Sequence, residues 1–179
     1  MSSKINIFPI VRDHFGTLRN AATGRLSPMD FIVHVGIPIA AGIASWWPLG
    51  FELTNAHANM VAALAIVFGF SFAVTVFVFQ LRMQMAEMQI SSEKRTVAAI
   101  APQIDTRAPA LVNQLFSNCL YAVVLSGFAT LLTAVAGPLK FGQAADSILI
   151  AIILHLLMVL LMCFKRLNAA YFRVSSLVS

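Results

Sequence analysis

Four apolar runs set the plan of this chain, and most of its polar residues are gathered between them. They cover Phe31 to about Leu49, Met60 to Gln80, about Leu115 to the Gly137-Pro138 pair, and Ile148 to about Phe164. Each falls within the range of about 17–25 apolar residues with which a helix crosses a bilayer core. The pattern predicts an all-α membrane protein with four transmembrane helices. The second run continues as RMQMAEMQISSEKRTVAAI, with no Gly or Pro between Gly69 and Ile100. One helix from His57 to Ile100 is therefore predicted, leaving the membrane as a polar arm at about residues 82–114.

Helix signals divide the chain further. Ser27-Pro28-Met29-Asp30 reads as a helix start, with a hydroxyl cap, a proline in the first turn and a carboxylate that can reach back to the cap amide. Pro38 is expected to bend the first span, and Trp46 and Trp47 mark its far interface. Residues 1–26 place Phe8, Val11, Phe15 and Leu18 on one face and Arg12 and Arg19 on the other, which predicts an interfacial amphipathic helix. Residues 27–179 form the four-helix transmembrane domain.

Small residues recur four apart at Gly36, Ala40 and Ala44, at Ala65, Gly69 and Ala73, and at Ala122, Ser126, Thr130 and Ala134. These strips predict close helix contacts on the first three spans. The fourth, bulky and nearly uniform, is expected on the lipid-facing perimeter.

Composition agrees: 59% of residues are hydrophobic and 11% charged, with a mean hydropathy of +0.84. Of the twelve basic residues, only Lys140 falls between spans three and four. The other eleven belong to the N-terminal segment, the middle loop or the C-terminus. By the positive-inside rule both termini are expected in the cytoplasm, with no cleavable signal ahead of the first span. Cys119 and Cys163 read as small buried hydrophobes.

No acidic residue lies within a span, which argues against a proton-coupled transporter. No phosphate loop, zinc-protease motif or nucleophile elbow is present, so an enzyme is not expected. The candidate site lies on the aromatic second span. Phe72, Thr75 and Phe79 fall near one stripe that ends at Arg82, and in a ring of copies they would form a pore gate of apolar side chains. The same residues in a single chain would be core packing or lipid-facing surface. Arg82, Lys94, Arg95 and Arg107 would anchor the helices to headgroups or, clustered about an axis, bind a nucleotide or oligonucleotide.

His34 and His155 lie within spans one and four, an arrangement that resembles bacterial cytochromes of the b561 type. The resemblance implies haem, but the two residues are offset in depth by roughly 9 Å at 1.5 Å per residue. No cofactor or metal is expected.

Four spans, the SPMD start and the FxFxxxxFxF pattern from Phe70 to Phe79 together resemble the small membrane effectors of bacterial anti-phage operons, of the Hailong and Kiwa types. The resemblance implies a homo-oligomer that changes membrane permeability when a cytosolic partner enzyme, or an oligonucleotide that it makes, reports infection. The alternative for the same architecture is a non-conducting anchor for a cytosolic protein.

Overall fold

The computed structural model describes residues 6–18, 28–47, 49–50, 53, 56–96, 107–139 and 141–175. Its elements are α1 (Phe8–Gly16), α2 (Pro28–Trp46), α3 (His57–Thr96), α4 (Arg107–Leu139) and α5 (Gln143–Ser175), with no strand among the described residues. The last four are each long and apolar enough to cross a membrane. The chain is thus an all-helical, multi-pass membrane protein.

The second span and its arm are one helix of 40 residues, which at 1.5 Å per residue reaches roughly 60 Å. The last residues expected in the arm's helix, up to Ile100, lie outside the described residues.

Inside α2 the α-helical register fails between Ile32 and Gly36. There the amide of Ile37 reaches back five residues to the carbonyl of Ile32, a π turn. Pro38 supplies the cause, because it has no amide to continue the ladder.

The spans form a row. In order across it they are α2, α5, α4 and α3, and α2 touches neither α3 nor α4 among the described residues. The contact of α3 with α4 is a heptad seam. Leu64, Val67, Ser71, Val74, Val78, Leu81 and Met85 recur at alternating intervals of three and four residues, and each is buried or half-buried. On α4, Val112, Leu115, Cys119, Ala122, Ser126, Ala129, Thr133 and Ala136 repeat the same intervals, all buried. That spacing keeps one stripe of each helix against its neighbours.

Three expectations about packing change. The fourth span is not on the perimeter: α5 stands inside the row and buries Leu149, Leu156 and Val159. Read from Ile148, that span omits Ser147, where its small contact surface begins. On α2 the packed residues are Pro38, Gly42 and Ser45, whereas Ala40 is exposed. A Cβ on Gly42 would lie 3.0 Å from both the Ala151 Cβ and the Ser147 carbonyl oxygen, so only glycine permits this approach. The second strip, Ala65, Gly69 and Ala73, is uncovered. Of the third, Ala122 and Ser126 are buried, Thr130 is half-buried and Ala134 is exposed.

The N-terminal helix also differs from a purely interfacial one. It packs against α4, with His14 and Leu18 buried and Phe8 exposed. The polar network described next explains the choice of face.

Candidate functional site

Three polar sites survive inside this apolar array. The first joins α1 to α4. The His14 side chain is 0% exposed, stacked on the Tyr121 ring with centroids 4.0 Å apart and planes at 8°. Its Nδ1 lies 2.9 Å from Oδ1 of Asn118, itself fully buried. The Thr17 hydroxyl is 2.7 Å from the His14 carbonyl and 2.9 Å from the same Asn118 oxygen. One hydroxyl proton cannot serve both acceptors. It donates to one of them at a time, while the Asn118 oxygen also accepts from Nδ1–H of His14. The Arg166 guanidinium completes the contact by donating to the Thr17 carbonyl at 2.7 Å.

Burial lowers the pKa of His14 from 6.5 to about 4, against an opposing contribution from Asn118, and His155, His34 and Arg166 act in the same direction as burial. The side chain is therefore a neutral imidazole at pH 7. Next to it, Tyr121 OH lies 3.0 Å from Nε2 of His155, and Nδ1 of His155 lies 2.6 Å from the His34 carbonyl. Both nitrogens of His155 are thus engaged. The ring offers no free lone pair to a haem iron, and the His34 ring turns instead to the Asp30 carbonyl at 2.9 Å.

The second site lies at the other end of the helices, where α3 and α5 begin and α4 ends. The Asp146 carboxylate, buried in the first turn of α5, accepts the Leu53 amide at 2.9 Å and pairs with His57 Nε2 at 2.9 Å. The His57 side chain packs on Gly137, where a Cβ would meet it at 3.2 Å. The end of α3 and the loop before it are thereby tied to α5.

The third is a cleft of about 330 Å³ between α1, α3 and α4. Arg82 enters it with its guanidinium carbon 5.7 Å from the centroid of the Phe116 ring, a cation–π contact.

The residues expected to form the gate separate. Thr75 is 8% exposed, turned into the α3–α4 seam with its hydroxyl donating to the Ser71 carbonyl at 2.8 Å. Phe72 is 56% exposed on the other flank, and Phe79, 48% exposed, packs its ring beside Phe116 of α4 with centroids 6.2 Å apart. Within the single chain Thr75 is thus taken up by the seam, while the two rings are partly uncovered.

The basic set also divides. Lys94 and Arg95 stand about 18 Å beyond Arg82 along α3, at 1.5 Å per residue. Their side chains and that of Arg107 lie outside the described residues. Sequence reasoning missed His14, Asn118, Tyr121 and Asp146. Asn118 carried a signal, as an amide within an apolar helix that needs a partner.

Comparison with protein-family models, with curated proteins and with solved structures gives no match to this chain.

Proposed function

We propose that the chain is a homo-oligomeric membrane effector whose copies join through α3 to form a gated pore in a bacterial inner membrane, with both termini and the arm in the cytoplasm. One observation carries this reading. Ala62, Ala65, Gly69, Phe72, Val76, Phe79 and Met83 recur at intervals of three and four, and all are uncovered. At 100° per residue they form a second heptad stripe turned away from the seam with α4, apart from the edge of the Phe79 ring, which also packs beside Phe116. Small residues at one end supply holes and phenyl rings at the other supply knobs. A single row of four helices encloses no lumen, so a conduit requires several copies.

In this reading Phe72 and Phe79 close the conduit as apolar rings and Thr75 is structural. Lys94 and Arg95, on the arm, receive the cytosolic partner or oligonucleotide. The resemblance to anti-phage effectors supplies that class of signal.

Gly69→Leu is the discriminating variant, because a Cβ there meets nothing in its own chain within 4 Å. It should leave the monomer folded and abolish the oligomer in mass photometry. Phe72→Ser should make cells permeable to dye. An unchanged particle mass in Gly69→Leu would end the reading. A normal oligomer with no leak in Phe72→Ser or Phe79→Ser would favour the non-conducting anchor.

A further inference from the structure

The cleft that holds Arg82 is built from one cation and one anion. Arg82 is the first charged residue after the apolar run of α3, which places its guanidinium at the level of the lipid headgroups. Phe116 supports one face of that group without neutralising it. Asp13 projects from α1 into the same cleft, and Asn113, Ile10 and Leu120 line the rest. The ion pair recorded for Asp13 is a 3.5 Å contact with its sequence neighbour Arg12, at the exposed surface. The cleft volume of about 330 Å³ lies within the span of small-ligand sites, about 300–1,000 Å³.

These charges select among ligands. A phosphate diester suits the donor fork of Arg82. A nucleotide carries several negative charges, and it would meet a single guanidinium with the Asp13 carboxylate opposing it; Lys94 and Arg95 are about 18 Å away along α3. An anionic phospholipid meets the same opposition. A zwitterion places a positive group beside Asp13, and a primary ammonium can donate N–H bonds to the carboxylate where a quaternary amine cannot. Ile10 and Leu120 provide an apolar wall for the glycerol and the first methylenes.

We propose that this cleft binds phosphatidylethanolamine, with its phosphate on Arg82 and its ammonium on Asp13, and that the lipid fastens α1 against α3 and α4. The inference does not depend on the pore, since a chain that never conducts would hold the lipid equally.

The test is native mass spectrometry of the full chain, released from detergent with equimolar phosphatidylethanolamine, phosphatidylglycerol and phosphatidylcholine. The ethanolamine lipid should be retained preferentially. Arg82→Gln should reduce its retention about tenfold, the scale of one charge-assisted contact, with Arg82→Lys in between. Asp13→Asn should reduce ethanolamine-lipid retention and leave phosphatidylglycerol unchanged or raised. Lys165→Gln, outside the cleft, should change nothing. Equal or better retention of phosphatidylglycerol in the unmodified chain would overturn the proposal, as would undiminished retention in Arg82→Gln. Displacement of the lipid by equimolar soluble glycerophosphoethanolamine would also overturn it, because the ligand would then be a free headgroup.

Discussion

Nδ1 of His155 sits 2.6 Å from the carbonyl oxygen of His34, four residues before Pro38. In an α-helix the carbonyl of residue 34 accepts from the amide of residue 38, which proline lacks. His155 replaces that donor from a neighbouring helix. The donation fixes its tautomer, leaving Nε2 to accept the Tyr121 hydroxyl proton at 3.0 Å.

The two residues are therefore expected to be coupled. His155→Leu should destabilise the native chain by about 1–3 kcal/mol, the range for an orphaned buried acceptor. In a Pro38→Ala background, where the helix can satisfy its own carbonyl, most of that loss should vanish. Denaturant unfolding in detergent micelles measures both. Equal losses in the two backgrounds would refute the coupling.

Docking of α1 should weaken in acid. His14 titrates near its ordinary 6.5 when α1 is released and at about 4 when docked, so protons bind the released state more readily. The docked state is fully favoured above pH 6.5 and loses about 1.4 kcal/mol per pH unit as pH falls from there toward 4. Hydrogen exchange across residues 8–17, corrected for intrinsic rates, should rise between pH 7.5 and pH 5. His14→Gln should flatten that dependence.

Gly42 and Ala40 separate packing within the chain from any other contact of α2. Gly42→Leu forces a side chain into atoms that already lie 3.0 Å from a bare Cβ position, and overpacking of this kind costs about 1–3 kcal/mol or more. Ala40→Leu, on the uncovered face, should leave the thermal midpoint unchanged. The reverse ranking would mean that α2 packs through its Gly36–Ala40–Ala44 strip.

Asp146→Asn should loosen the face opposite the arm. The carboxylate accepts from Leu53 and His57 together, whereas an amide can accept from only one of its two ends. Amide exchange at Leu53 should accelerate by about tenfold, corresponding to about 1.4 kcal/mol. Unchanged protection would assign the loop's order to another contact.

The membrane character and the run of α3 into its arm were legible because length, hydropathy and the absence of breakers are one-dimensional properties. The order of the helices was not. The phenylalanines from Phe70 to Phe79 dominate the pattern of α3, yet the residues that bind it to α4 are Leu64, Val67, Ser71, Val74 and Val78, and nothing local marks such a seam as facing protein rather than lipid. In water a polar outer face would have exposed it by contrast; in a membrane both flanks are apolar. The His14 network was hidden for a different reason. Its members are separated by more than a hundred residues, and His14 lies in a segment whose own pattern fits an interfacial helix.

Consecutive synthesis and the row do not run in the same order. Among the described residues α2 has α5, the later of the two by more than a hundred residues, as its only neighbouring span, so during translation it waits in the bilayer until that helix follows. Throughout that interval the His34 carbonyl has no donor from His155, and Gly42 faces lipid in place of Ala151. A chain that ends before α5 leaves α2 without a mate, while α3 and α4 can already pair. The contact of α2 with α5 is thus the last of the row to close.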